Sequence, residues 1–517
     1  MKKIGLVVAG TLCASAAFGD LVDYVDPFVG TAGTGHTFPA ACVPFGLVQA
    51  GPDTGSDDWD HCSGYNIGDR TIYGFSQTHL NGTGGEDLGD ILIAPFTDGP
   101  VEKGKETAVP GFYSVEFPSK GICAEATASE HVGFYWFSAC DKLLVDCQWG
   151  IAHDGRFVTN VLSQTASLDA DGLFTGVRET STWNYRKMAF ALATSRPIVR
   201  VERLPQCHPK EKGRRYVLHF GDGDKPTLIK VSMSVSGDVA QARRNLAAEI
   251  QGWDFDAVKN AARQKWNDVL GAAVIEGTDD QKKNWYTSLY HLCIQPNNIA
   301  DVGEKPFYST FSCWDTFRAA GPLYTILYPE KAAEFVDSML EQGKKTGYLP
   351  IWTLWGEDNQ CMIGTHSVPM IVDWFLKKGV VGSRSRTKDG KNSIVGLEPT
   401  TTTKYWESAY QQIKGTLTKK HEGRIKENWD LYDQYGYYPF DKIRGESVSR
   451  TMECAYDDWC AAVMAEKLGH KEDAAFFFKR AAFWKNVFDP SIGLVRGKDT
   501  KGNWREPFDP YALGHGA

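Results

Sequence analysis

The chain runs to 517 residues with a formal net charge of −8, from 56 Lys and Arg against 64 Asp and Glu. That length supplies two or more domains with sizeable cores, and the scatter of its basic residues excludes a nucleic-acid-binding surface. Its 16 tryptophans suit a carbohydrate ligand without deciding for one.

Met1–Gly19 reads as a targeting segment. Lys2 and Lys3 give a charged start, Ile4 to Phe18 an apolar run, and Ala17-Phe18-Gly19 a small-x-small cleavage site before Asp20. The run is too short to span a bilayer, and no later stretch reads as transmembrane, so the mature protein is expected to be exported, to a periplasm or outside the cell. Of the 12 cysteines, those after Cys13 are dispersed and lack the close pairs of a zinc site. The scatter allows one or two disulfides, for which the β-rich half is the place, while a buried free thiol is the expectation for any single cysteine.

From 20 to 238 the texture is β. Runs such as Gly111-Phe112-Tyr113-Ser114-Val115-Glu116-Phe117 and Thr227-Leu228-Ile229-Lys230-Val231 alternate apolar and polar residues between glycine, aspartate and proline. One large two-sheet domain is predicted. The glycine-rich run Asp26–Gly46 lacks the lysine of a phosphate loop and no βαβ unit follows it, so it is expected to be structural. The polar-loop histidines His36 and His79 are expected to satisfy backbone groups.

The period then changes to that of helices. Residues 239–275 read as a helical linker. Over 276–517, amphipathic helices are predicted at about Asp280–Ile294, Pro329–Lys344, His366–Lys378, Tyr405–Leu417, Glu446–Leu468 and Glu472–Phe488, a spacing that suits a helical toroid or solenoid.

The chemistry-bearing stretch lies between Phe307 and Pro369. It combines Trp314, Asp315 and Arg318 with Trp355, Asp358 and His366 in loop-like sequence between buried helices. Carboxylates flanked by aromatic rings suit a sugar, whose hydroxyls need acceptors and whose C–H faces need flat apolar surface. Further on, the Glu446 helix carries Glu446, Arg450, Glu453 and Asp457 on one face and Met452, Tyr456, Trp459 and Val463 on another. Its charged face is either a solvated stripe of intrahelical ion pairs or, on an inner helix of a toroid, part of a pocket wall.

Several of these blocks together resemble one family. Asp53-Thr54-Gly55-Ser56-Asp57-Asp58-Trp59-Asp60-His61-Cys62, Gly74-Phe75-Ser76-Gln77-Thr78-His79-Leu80-Asn81-Gly82, Ser312-Cys313-Trp314-Asp315-Thr316-Phe317-Arg318, Met362-Ile363-Gly364-Thr365-His366-Ser367 and Glu446-Ser447-Val448-Ser449-Arg450-Thr451-Met452-Glu453 resemble glycoside hydrolase family 92. Its members are exported, calcium-dependent exo-α-mannosidases that invert the anomeric centre. The likeness runs from about Tyr24 to the last residue.

The resemblance implies an α+β multidomain chain, an N-terminal β-sandwich (supersandwich) followed by an incomplete (α/α)6 barrel. It implies a mannose-containing glycan as partner, an N-glycan or mannan, and Ca2+ as cofactor in the complete enzyme, its ligands unassigned here. By the same resemblance the general acid is a glutamate in a Glu-Gly-Asn-x-Trp-Gln motif after Phe508-Asp509-Pro510, with the base beyond it. Neither precedes Ala517, so the chain is expected to be partial and no catalytic residue is assigned to it. For the substrate, Trp59 matches a tryptophan bordering the leaving-group subsite, with Asp60 beside it. Asp315 matches the aspartate on the terminal mannose, with Arg318 to orient it. Trp314, Trp355, His366, Glu453 and Asp457 complete the expected set. Asp358, in Glu357-Asp358-Asn359, stands where the family usually has Asn-Glu-Thr, a shorter acid in place of the glutamate. Two alternatives stay open: an inactive glycan-binding protein, and another sandwich-plus-(α/α)6 glycosidase or phosphorylase.

Overall fold

Alternating side chains build the first half of the protein. In the strand Phe112–Phe117, Tyr113, Val115 and Phe117 are buried while the residues between them are more exposed, the period-2 pattern of a sheet with one face in a core. The computed structural model describes residues 20–511 except 57, 152–159, 208–209, 378–382, 387–391, 396–398, 422–427 and 444. The targeting segment Met1–Gly19 and the run 512–517 at the C-terminus lie outside the described residues. The chain divides into two compact units, Met1–Thr310 and Phe311–Ala517.

In the first unit a seven-stranded antiparallel sheet runs in the order Ala41–Cys42, Gln49–Asp53, Gly74–Ser76, Leu92–Ala94, Lys142–Asp146, Arg215–His219, Arg200–Arg203. An eight-stranded antiparallel sheet follows the order Val161–Leu168, Phe174–Ser181, Tyr185–Thr194, Thr227–Ser234, Val132–Phe137, Ile122–Ala128, Phe112–Phe117, Glu106–Val109. The sheets meet through aromatic side chains. Phe75 of the first lies 5.9–6.4 Å, centroid to centroid, from Tyr113, Phe117, Tyr135 and Phe137 of the second, within the range where aromatic pairs attract.

Helices cover the other side of the larger sheet. Asp238 caps the helix Val239–Glu249 by accepting from the Ala240 N–H at 2.8 Å. Ala242, Leu246 and Ile250 then pack on Val132, Phe134, Ala189 and Ala191. The helix Phe255–Leu270 is capped by Asp254 and ties back through Trp266, whose Nε1–H donates to the Cys42 carbonyl at 2.7 Å. Thr278 and Gln281 form a capping box at the start of Asp279–Ile294.

The second unit is helical. Pro329–Thr346 starts on proline, places Lys344 and Lys345 in its last turn and stops at Gly347 in the left-handed conformation (φ 86°), each a preferred terminal feature. Its buried residues Ala332, Phe335, Val336, Met339 and Gly343 recur on one face. Ser367–Lys377, Pro399–Thr418 and Ser447–Leu468 follow, close to the predicted helices. The predicted Glu472–Phe488 helix divides into Lys471–Ala481 and a 3-10 segment Ala482–Val487. Ala320–Leu327 and Trp429–Tyr435 were too short for periodicity to announce.

None of the eleven described cysteines forms a disulfide. The β-rich half holds buried thiols at Cys42, Cys62, Cys140 and Cys147, the expected state of a single cysteine, and not the bridges that the scatter allowed. No helix among the described residues is long and apolar enough to cross a membrane.

Candidate functional site

Six of the residues singled out in the sequence come together in the helical unit. Trp314, Asp315 and Arg318 sit on and just after the helical turn Cys313–Thr316. His366 opens the turn into Ser367–Lys377, and Glu453 and Asp457 lie one helical turn apart on Ser447–Leu468. The imidazole of His366 is buried between the two acids: Nδ1 is 2.9 Å from Asp457 Oδ1 and Nε2 is 2.9 Å from Glu453 Oε2. The first is an aligned hydrogen bond, the second a charge contact off the hydrogen-bond line. Asp457 Oδ2 accepts from the Thr365 backbone N–H at 2.6 Å, while Arg318 donates to Glu453 Oε1 at 3.1 Å.

The backbone before the histidine permits this approach. Gly364 has φ 72°, and a Cβ there would stand 2.6 Å from His366 Nε2, so only glycine fits. Phe317 stacks on the imidazole at 3.9 Å between ring centroids with planes 20° apart. Arg318 lies 4.7 Å over the Trp314 ring, a cation–π geometry.

Charge follows from these contacts. Burial alone would depress the His366 pKa, but Asp457 and then Glu453 outweigh it and raise it to about 9. Burial pushes Glu453 upward, yet His366 and Arg318 prevail and hold its carboxyl below the ordinary glutamate range. A general acid needs the opposite shift, so Glu453 is an anion that orients cations and not a proton donor.

The array grades from buried to open. Asp457 and His366 are sealed, Glu453 is half-buried, and Asp315 and Arg318 are exposed. Asp315 and Arg318, though three residues apart, take different partners: Arg318 reaches Glu453, and Asp315 Oδ2 accepts from the Ser312 hydroxyl at 2.6 Å. The solvated-stripe reading of the Glu446 helix is corrected. Arg450 and Glu446 do pair, at 3.3 Å, but Glu453 and Asp457 turn inward to cations from other segments, while Met452, Tyr456 and Trp459 are the exposed residues.

Trp355 and Asp358 belong to a hairpin of Trp352–Leu354 with Glu357–Asp358. Its two-residue loop, Trp355-Gly356, has φ 54° and 76°, the double positive φ of a type I′ turn. Tryptophan at such a position is strained, as are Gln360 and Met362 at φ 54° and 71°; strain of this kind gathers at functional loops. Asp358 accepts from the backbone N–H groups of Ile351 (3.2 Å), Trp352 (3.0 Å) and Gln360 (3.0 Å). Its carboxylate thereby closes its own hairpin.

Trp59 and Asp60 occupy the 3-10 turn Trp59–His61 of the first unit. Trp59 is exposed, with His36 set edge-on at 5.2 Å, and a Cβ on Gly84 would meet its ring at 2.7 Å. The turn is held by His61, whose Nδ1 and Nε2 lie 2.5 Å and 2.7 Å from carboxylate oxygens of Asp58 and Asp69. Asp60 itself is exposed. His79 is structural, with Nδ1 3.0 Å from the Gln49 carbonyl and Nε2 3.1 Å from Ser76 Oγ.

Among the described residues one group has side chains close enough to share a metal ion: Glu130, His131 and Glu249. It does not fit calcium, which takes about 6–8 oxygen ligands. His131 Nδ1 is 2.5 Å from Glu249 and Nε2 2.7 Å from the Ala300 carbonyl, so both ring nitrogens serve as donors. Burial lowers its pKa, but Glu249 outweighs burial and raises it. This is an imidazolium clamp, and no catalytic step is drawn through it.

Two family models match the chain: the glycosyl hydrolase family 92 N-terminal domain over residues 24–236, and the family 92 catalytic domain over 241–516. The chain belongs to glycosyl hydrolase family 92. This family-92 chain is 30% identical to a solved α-mannosidase of the family from Bacteroides thetaiotaomicron, with a TM-score of 0.83 over 96% of this chain and 70% of that one. A structure of that enzyme in complex with mannoimidazole aligns at 29% identity and TM-score 0.82, over 95% of this chain and 67% of that one. An inverting family-92 mannosidase from the same organism aligns at 25% identity and TM-score 0.80, over 97% and 70% of the two chains. A curated relative from Arthroderma benhamiae, described as an uncharacterized secreted glycosidase, is 23% identical over 97% of this chain and 67% of its own length.

Within the family-92 fold, the β-rich N-terminal half and helical C-terminal half are as expected. Phe317, Thr365 and Gly364 were quoted in the motifs but not singled out. Their signal was nearness in the chain: Phe317 adjoins Arg318 and stacks on His366, Thr365 adjoins His366 and holds Asp457, and Gly364 stands two residues before His366.

Proposed function

We propose that this family-92 glycosidase removes terminal α-linked mannose from N-glycans or mannan, with inversion at the anomeric carbon. The observation that carries the reading is the Trp314–Asp315–Arg318 turn, which presents an acceptor, a donor and a flat ring side by side in a family whose solved members include mannosidases. In this reading the Asp315 carboxylate accepts from sugar hydroxyls. Arg318, anchored by Glu453, donates to them, and the Trp314 face takes the apolar side of the ring. His366 and Asp457 stand behind that anchor. Trp355 is held inward by its hairpin as a wall residue, and Asp358 contributes by shaping that hairpin. Trp59 and Asp60 offer an aromatic face and an acid for the leaving-group sugar. The helical half is proposed as (α/α)6 in architecture, with domains at 20–238 and 276–517 joined by 239–275.

Export and calcium dependence belong to the same proposal, supported by the N-terminal composition, the secreted relative and the family resemblance. The described residues assign calcium no ligands. The experiment is hydrolysis of α-1,2-mannobiose by the gene's product with and without EGTA, following the anomer released by NMR. β-Mannose as first product, lost on chelation and restored by Ca2+, is expected. α-Mannose as first product would overturn inversion, and EGTA-insensitive turnover would overturn the metal requirement.

A further inference from the structure

Between His366 and the exposed Arg318 stands a single side chain, Glu453, which contacts both. We propose that His366 is a positioning residue, a buried cation that fixes Glu453 and, through Glu453, aims Arg318 over the Trp314 ring to receive a sugar. The inference rests on the mannose reading of the same turn.

The argument is one of connectivity and charge. Arg318 has a single described carboxylate partner, Glu453, through Oε1 at 3.1 Å. The other oxygen of Glu453 lies 2.9 Å from His366 Nε2. On the far side of the ring, Nδ1 donates to Asp457 at 2.9 Å, and Asp457 is pinned by the Thr365 N–H at 2.6 Å. The chain from the fixed backbone of Thr365 to the exposed guanidinium is therefore unbroken. With the ring doubly protonated, both carboxylates face a cation. Loss of one proton leaves Nδ1–H on Asp457 and turns the Nε2 lone pair toward Glu453 Oε2, which converts attraction into repulsion. Glu453 must then move, and Arg318 with it.

The charged and titratable groups around the imidazole come from three segments. Glu453, Tyr456 and Asp457 face it from one helix and Phe317 from the segment after Cys313, with Arg318 on the far side of Glu453. Asp373, on its own helix, pairs with Lys377 at 2.8 Å; Asp458, next to Asp457, pairs with Arg480 at 3.0 Å, yet burial outweighs that cation and raises its carboxyl to about 7, below the midpoint of His366. Burial holds the Tyr456 hydroxyl up to about 12, and the Cys313 thiol is raised well above its ordinary value by burial and then by Asp358 and Asp457. His366, raised to about 9, changes charge between pH 7.5 and 10.

Two measurements on this chain test the proposal. Ring ¹⁵N NMR reads the protonation of His366, and calorimetric titration with methyl α-mannoside reads affinity at pH 7.5 and 10 in wild type, His366→Gln and Glu453→Gln. The proposal expects both ring nitrogens protonated at pH 7.5, a roughly tenfold weaker wild-type affinity at pH 10, and a weak, pH-independent affinity in His366→Gln. Glu453→Gln should bind weakly while its His366 remains protonated at pH 7.5 on Asp457 alone, which separates the relay from folding. A neutral His366 at pH 7.5, or wild-type affinity unchanged after the ring has lost its proton, would overturn it. If wild type binds no mannoside at either pH, the mannose reading fails. The positioning claim is then decided by the Arg318 Nε–H signal: ordering at pH 7.5 that is lost at pH 10 and in His366→Gln supports it, and equal mobility throughout contradicts it.

Discussion

The two units each bury a cluster of opposed charges, and the clusters end differently. Between the sheets of the first unit, Arg186 bonds to both Asp87 and Asp90, Thr78 Oγ1 donates to Asp90 Oδ2 at 2.8 Å, and Arg178 stands 3.7 Å from Asp90. All four charged side chains are at most 1% exposed. In the helical unit Asp457 and His366 are equally sealed, but the chain of contacts continues outward through Glu453 to Arg318, whose side chain is 48% exposed. A closed cluster can act only on the fold. An open one can transmit the rigidity of its buried end to a side chain that meets solvent, which is what a binding site requires.

The comparison breaks most visibly at its closed end. Arg186→Ala removes the cation that bonds both buried carboxylates and leaves Asp90 with only Thr78 and the more distant Arg178, so a loss of about 3–5 kcal/mol of stability is expected, measured by urea unfolding. A loss under about 1 kcal/mol would mean that the cluster is hydrated and not closed.

The open cluster should respond to pH next. The folded His366 value of about 9 lies above the ordinary 6.5, so folding stabilises its protonated form. That contribution, on the order of 3 kcal/mol from the displacement, is fully present below pH 6.5 and is lost as pH rises through 9. Urea unfolding of wild type at pH 6 and pH 9.5, against His366→Gln at both, isolates it. An unchanged difference between the two proteins would remove His366 from the account.

The smallest stability effect belongs to the exposed end. Arg318→Ala removes a partly solvated ion pair and should cost under about 1 kcal/mol, while weakening methyl α-mannoside binding well beyond that in proportion. Equal effects on folding and binding would place Arg318 with the closed cluster instead.

Much of this was legible in the sequence, and what was not shares one cause. The helix Pro329–Thr346 could be located from its proline, its apolar spacing and Gly347, all local features. The site residues could be named because they stand in motifs, but their directions depend on partners far along the chain. Glu453 meets Arg318 across 135 residues and His366 meets Asp457 across 91, so the helical wheel alone left the charged face of Ser447–Leu468 undecided. Asp358 illustrates the converse. Its departure from the family pattern was visible, whereas its three backbone N–H donors appear only once the hairpin and its Trp355-Gly356 turn are formed. Cysteine spacing, with no partner distances to constrain it, left room for bridges where the sheets hold thiols.

The most direct test of the account is a crystal structure of this chain with mannoimidazole, the compound bound in the Bacteroides relative's complex. The account predicts the sugar ring on the Trp314 turn, with a hydroxyl within hydrogen-bonding distance of the Asp315 carboxylate and Arg318 still on Glu453. Mannoimidazole bound elsewhere, with Asp315 facing only water, would contradict it.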